Sequence, residues 1–308
     1  MELALHRFIE ANLTELAEEC RAARLARGPV KGPGSREELH EARASRALSV
    51  ETSARAVQLT VGADGHDVPV RILGPSGYGG PRGVLLDIHG GGFYLDSAAR
   101  GDLRNEQLAD ALGIVVVSVD YRLAPEHPWP AAPRDCEAAA LWLVDQAESR
   151  FGTRRLAIGG SSAGATLAAT TLLRLRDRGV ADAFGGAVLQ FGAYDLSGLT
   201  PAGRRIADEY FIQAYAGHVA DRTHGDISPA YADLRDLPPT LMLVGTADVL
   251  LEDNLTMAAR LSAAGNDVDL RVYPEAPHGF TTGATGMAKA ALRDVDSWLG
   301  SRCFPDES

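Results

Sequence analysis

Apolar residues follow two different periods along this chain. Over residues 2–26 they recur at helical spacing, at Leu3, Leu5, Phe8, Ile9, Leu13 and Leu16, which predicts an amphipathic helix. Gly28-Pro29 and Gly32-Pro33-Gly34 break that pattern. Ser35 with Glu38 three residues on is a capping box, and it predicts a second helix over 36–47. From about residue 55 the pattern becomes strand-like. Ala56–Val61 and Val68–Leu73 flank Gly62-Ala63-Asp64-Gly65 and read as a hairpin. Apolar runs then alternate with helical stretches. The runs are Val84–Ile88, Ile114–Val119, Leu156–Ile158, Ala187–Phe191, Leu241–Val244 and Val268–Tyr273. The helical stretches lie near 97–112, 134–149, 163–178, 251–264 and 285–300. Unbroken Val/Ile/Leu runs between helices indicate a parallel sheet covered on both faces. With the hairpin this gives eight strands and an α/β fold. Residues 195–232 fit neither strand nor sheet-packing helix. They carry Tyr210, Phe211, Ile212 and Tyr215, enough apolar surface to cover a site.

A chain of 308 residues suits one such α/β domain over 51–308, with residues 1–50 as an appended helical segment. A hydrophobic share of 45% and a charged share of 23% exclude a disordered chain or a disulfide scaffold. The net charge of −11 makes a nucleic-acid partner unexpected, because phosphate contacts need clustered Lys and Arg. Cys20, Cys136 and Cys303 lie far apart, with no CxxC or Cys/His spacing, so neither a metal site nor a disulfide framework is expected. Reduced thiols fit an intracellular setting. Glu2, His6, Arg7 and Glu10 interrupt any apolar signal core, and no run of about 18 apolar residues exists. The expectation is a cytoplasmic protein without a membrane span.

The sharpest motif is Gly160-Ser161-Ser162-Ala163-Gly164, which follows the run Leu156–Ile158 and opens the helix at 163. A GxSxG turn between strand and helix needs small neighbours, because the backbone is tight and lifts the serine above the sheet. A glycine- and serine-rich turn that merely binds phosphate is the competing reading. His89-Gly90-Gly91-Gly92-Phe93 follows the run Val84–Ile88. Its glycines leave backbone N–H groups unobstructed, able to hold an oxyanion. Asp248 follows the run Leu241–Val244, and His278 follows the strand ending at Tyr273. Both therefore lie past the carboxyl ends of parallel strands, where open α/β sheets place their sites. A serine hydroxyl is a weak nucleophile. It needs a base within hydrogen-bond reach, and the base needs a carboxylate to fix its tautomer.

With these motifs on the page, the chain resembles the hormone-sensitive-lipase-like carboxylesterases, a branch of the α/β-hydrolases, over roughly residues 55–302. The long segment Asp120–Ala132 (DYRLAPEHPWPAA) carries much of that resemblance. The resemblance implies an α/β-hydrolase fold: a mostly parallel eight-stranded sheet flanked by helices, with a helical cap. It implies Ser162 as nucleophile, Asp248 as acid and His278 as base. The oxyanion donors would be Gly91, Gly92 and Ala163. The cap would be formed by residues 1–50 and 195–232. It also implies a small-molecule ester of short to medium acyl chain as substrate, no cofactor or metal, and, by analogy, a homodimer through the sheet edge or last helix. Phe93, Tyr94, Tyr194, Val249 and Phe280 adjoin the motifs and are the expected pocket walls. Arg122 and Glu126 are expected to tie loops, Trp129 to pack, and Asp253 to be structural. Two positions depart from the branch: Ser161 stands where Asp or Thr is usual, and Val249 where Pro is common. The same machinery serves amide, carbamate and lactone hydrolases, and plant dehydratases share the oxyanion loop. Small-molecule receptors of this fold lack the catalytic histidine, whereas His278 is present here.

Overall fold

The computed structural model describes residues 9, 13–28, 31–63, 65–77 and 79–305. Among them the strands are β1 (Val57–Ala63), β2 (His66–Leu73), β3 (Val84–Ile88), β4 (Val115–Val119), β5 (Leu156–Ser161), β6 (Phe184–Gln190), β7 (Thr240–Gly245) and β8 (Val268–Tyr273). They form one sheet of order β1-β2-β4-β3-β5-β6-β7-β8. β2 runs antiparallel to both neighbours, and the ladders from β4 to β8 are all parallel. The hairpin is tighter than the glycines suggest: Ala63 pairs with His66. Asp64 of its turn lies outside the described residues.

The helices are α1 (Thr14–Arg27), α2 (Arg36–Leu48), α3 (Asp102–Leu112), α4 (Ala131–Phe151), α5 (Ala163–Asp177), α6 (Pro201–Arg204), α7 (Tyr210–Ala216), α8 (Leu251–Ala263) and α9 (Gly286–Trp298). Most match the helical stretches read from sequence, with shifted ends. The stretch 97–112 divides into a 3-10 turn, Ala98–Gly101, and α3. α4 starts three residues earlier than its apolar period, and α9 ends in a π turn over Leu299–Cys303. The first helix begins at Thr14, and Leu3, Leu5 and Phe8 lie outside the described residues. As the capping box predicts, Glu38 N–H donates to Ser35 Oγ at the start of α2.

Strand side chains alternate between two cores. Val84, Leu86, Ile88, Leu156 and Ile158 pack toward α4, α5 and α8. Leu85, Val116, Ala157, Val188 and Leu243 pack toward α3 and α9. Asp87 sits inside the run Val84–Ile88 that the sequence pattern treats as apolar. It is satisfied by Asn105 Nδ2 at 2.9 Å and Ser118 Oγ at 3.0 Å. Cys20, Cys136 and Cys303 are buried free thiols. No helix among the described residues is long and apolar enough to cross a membrane.

The sheet order places the site. From β3 the chain steps outward to β4, then returns to the other side of β3 as β5. The loops after β3 and β5 therefore part in opposite directions, toward α3 and α5. A crevice opens at such a switch point, outside the carboxyl ends of the strands.

Candidate active site

Ser162 stands in the turn from β5 to α5 with φ 54° and ψ −120°, a conformation that L-residues seldom adopt. Packing over-determines that strain. A Cβ on Gly164 would stand 1.9 Å from the Ile88 carbonyl oxygen, so only glycine lets α5 approach β3 this closely. The turn aims Ser162 Oγ at His278, and Oγ–H lies 2.9 Å from Nε2. His278 Nδ1–H in turn faces both carboxylate oxygens of Asp248, at 3.0 and 3.1 Å. The Asp248 side chain is fully buried, and its Oδ1 also accepts from Leu250 N–H at 2.8 Å. A carboxylate held this way fixes the tautomer in which Nε2 accepts the serine proton. The ring edge of His278 rests on Phe191, with centroids 5.2 Å apart.

On the other side of Ser162 lies the loop His89–Phe93. Gly91 has φ 106°, and a Cβ there would stand 2.2 Å from the Leu95 carbonyl oxygen. The loop is braced from below. His89 stacks on Tyr121 at 4.1 Å, and Tyr121 Oη–H donates to the carbonyls of His89 (3.0 Å) and Gly90 (3.2 Å). His89 Nδ1–H donates to the Gly90 carbonyl at 2.7 Å. Burial holds the His89 pKa below its ordinary value, so the ring stays neutral. From above, Phe93 stacks on Tyr215 of α7 at 4.0 Å. Arg43 of α2 donates to the carbonyls of Tyr94 (2.9 Å) and Ala124 (2.6 Å) and pairs with Glu126 at 3.0 Å. Ala163 N–H is in the first turn of α5 and has no intrahelical acceptor. Together with Gly91 and Gly92, Ala163 lines the same cavity as Ser162.

That cavity has a volume of about 1340 Å³. Of the expected walls, the structure brings Phe93, Tyr94 and Val249 to it. It does not bring Tyr194 or Phe280 there. Tyr194 is buried beneath the loop after β6, where its N–H and that of Asp195 donate to Asp253. Phe280 packs on Tyr273 and Phe191, at 5.1 and 5.9 Å. Adjacency to a motif along the chain does not set side-chain direction, and both rings turn inward to apolar partners. Asp253 is structural, and its burial raises its pKa to about 6. Arg122 pairs with Asp135 at 2.8 Å, and Trp129 Nε1–H donates to Asp226 at 2.8 Å. Asp87, Asn105 and Gln190 also line the cavity. The sequence reading missed all three; the only signal was a carboxylate inside an apolar strand. Among the described residues no group of three or more His, Cys, Asp or Glu side chains is arranged to hold a metal ion.

An eight-stranded α/β sheet with a Ser–His–Asp relay at its switch point defines the serine-hydrolase class of α/β proteins. The chain belongs to the alpha/beta hydrolase fold family, whose model matches residues 85–282. It is 34% identical over 238 residues to the "Carboxylic ester hydrolase LipN" of Mycobacterium tuberculosis, covering 72% of this chain and 63% of that one. It is 33% identical over 268 residues to "Carboxylesterase NlhH" of the same organism, covering 78% and 82%. Among solved structures, "Bacterial Heroin Esterase" superposes with a TM-score of 0.85 at 28% identity, over 95% of this chain and 99% of the other. These likenesses bear out the hormone-sensitive-lipase-like branch read from the motifs.

Proposed function

We propose that this protein is a serine carboxylesterase acting on short- to medium-chain esters through an acyl-serine intermediate. The observation that carries the reading is the unbroken relay from Ser162 Oγ through His278 to buried Asp248, opening onto a cavity. Ser162 Oγ attacks the ester carbonyl as its proton passes to His278 Nε2. Asp248 stabilises the imidazolium that forms. The N–H groups of Gly91, Gly92 and Ala163 receive the oxyanion; losing one such donor typically costs about 10²–10³ in rate. The protonated His278 then gives its proton to the departing alcohol. Water enters, His278 takes its proton, and the acid is released from Ser162 by the reverse path. No other group is needed for electron or proton balance.

Two segments complete the site as a cap. In the N-terminal one, α1 packs on α9 and α2 clamps the chain after the oxyanion loop. In the second, over 195–232, α7 lies on Phe93 and Gly92. The test is steady-state hydrolysis of p-nitrophenyl esters of increasing acyl length, beside Ser162→Ala. The expected result is turnover by the parent and near-background rates in the variant. Equal activity in both would remove Ser162 as nucleophile and, with it, the whole assignment.

A further inference from the structure

The cavity does not end at Ser162. Its wall continues to Asp87, Asn105, Leu108, Val188 and Val295, on the sheet face that carries α3 and α9. Ligand pockets commonly measure about 300–1,000 Å³, and the 1340 Å³ here exceed that range. The extra room has a cause in sequence. β5 presents Ala157, Gly159 and Ser161 to this face, so the floor beside the nucleophile is nearly bare. Beside that floor stand hydrogen-bond acceptors. Asp87 Oδ2 takes its two neutral donors, Asn105 and Ser118, and no Arg, Lys or His among the described residues pairs with the carboxylate. Gln190 Oε1 is buried without a hydrogen-bond partner among the described residues. Arg104 also reaches this wall, but Asp296 holds it in a forked pair. The apolar remainder, including Leu85, Val188 and Val295, offers no compensating charge.

A carboxylate that lines a cavity without a counter-ion favours a cation with N–H donors. Its reach follows from strand register. Asp87 pairs with Gly159, and Ser162 lies three residues further on. At about 3.3 Å per residue that is about 10 Å. A chain of about six bonds from the ester carbonyl, ended by a hydrogen bond of about 2.9 Å, spans it.

We propose that this arm of the cavity binds a protonated amine carried by the ester substrate, with Asp87 as its counter-ion. The proposal rests on the esterase reading above and narrows its substrate class. The experiment compares kcat/KM within isosteric pairs. In one pair the amine sits on the acid: p-nitrophenyl 6-aminohexanoate against p-nitrophenyl heptanoate. In the other it sits on the alcohol: 5-aminopentyl acetate against hexyl acetate. The expected result is a preference of about tenfold or more for the amine in one pair, which also tells which side of the ester occupies the arm. That preference should persist at about 0.5 M salt, where the attraction of the protein's overall −11 charge is screened. In Asp87→Asn, whose side-chain oxygen still accepts from Ser118 and Asn105, the ratio should fall to about one. If that variant does not fold, the parent decides: pentylammonium should inhibit heptanoate hydrolysis far more strongly than 1-pentanol. No amine preference in either pair, with the heptanoate still hydrolysed, would overturn the subsite and leave the esterase reading intact. A preference that survives Asp87→Asn would overturn the role of Asp87. Failure of the parent on every neutral ester would instead strike the esterase reading.

Discussion

Tyr121→Phe isolates the support of the oxyanion loop from the loop itself. The substitution keeps the ring that stacks on His89 at 4.1 Å and removes only the hydroxyl. That hydroxyl is a permanent donor, because burial pushes its pKa well above the ordinary phenol value. Its two acceptors do not suffer equally. The Gly90 carbonyl still receives His89 Nδ1–H at 2.7 Å, whereas no other side chain among the described residues donates to the His89 carbonyl. One buried carbonyl is therefore orphaned, at a cost of about 1–3 kcal/mol. For a chain of 308 residues this lowers Tm by about 1.5–5 °C. The loosened segment leads directly into Gly91 and Gly92. The oxyanion exists only in the transition state, so kcat should fall about tenfold while KM holds. Thermal melts and p-nitrophenyl ester kinetics, measured on the same preparation, check both numbers. A lowered Tm with unchanged kcat would refute the reasoning, because it would make Tyr121 a stability residue with no grip on the loop. A rise in KM alone would refute it too.

Three further perturbations follow from other contacts. Asp248→Asn keeps an acceptor for Leu250 N–H but turns an amide toward His278 Nδ1, which imposes the wrong tautomer. Steady-state assays should show kcat down by about 10⁴ with the fold intact by circular dichroism. Asp253 has a folded pKa raised to about 6, against an unfolded value of about 3.9. Between those values the folded chain holds a proton that the unfolded chain has lost, so stability falls as pH rises from about 4 to 6, by about 3 kcal/mol in all. Asp253→Asn should therefore melt higher than the parent at pH 8 and together with it below pH 4. Arg174 bridges Glu137 and Asp226 at 2.9 and 2.5 Å, and all three side chains are mostly buried. Arg174→Met leaves Asp226 with no ion-pair partner among the described residues, while Glu137 keeps Arg178 at 2.6 Å, and should cost about 3 kcal/mol in urea unfolding. The Asp226→Asn/Arg174→Met double variant, which removes the unpaired charge and leaves the Glu137–Arg178 pair in place, should recover part of that loss.

The residues whose chemistry depends on local backbone were legible in the chain itself. Gly160 and Gly164 around Ser162, and Gly90 to Gly92 after β3, are dictated by turns that tolerate no side chain, so their positions appear in any reading of the sequence. Runs such as Val115–Val119 were equally plain, because a strand buried on both faces is almost wholly apolar, with Ser118 its one polar residue. The relay itself was inferred from chain order, since Asp248 and His278 both follow carboxyl ends of strands.

Side-chain direction and long-range pairing needed the folded molecule. The sequence marks Tyr194 and Phe280 as pocket walls along with Phe93 and Tyr94, yet of these four only Phe93 and Tyr94 line the cavity. The stack of Tyr215 on Phe93 joins rings more than a hundred residues apart in the chain. Asp87 stood in the sequence as an interruption of an apolar run. Its partners arrive from α3 and β4, and the bare floor beside it comes from β5. Period and composition report how each segment meets water. They carry no record of which segments meet each other, and the acceptors beside the nucleophile exist only where β3, β5 and β6 are side by side.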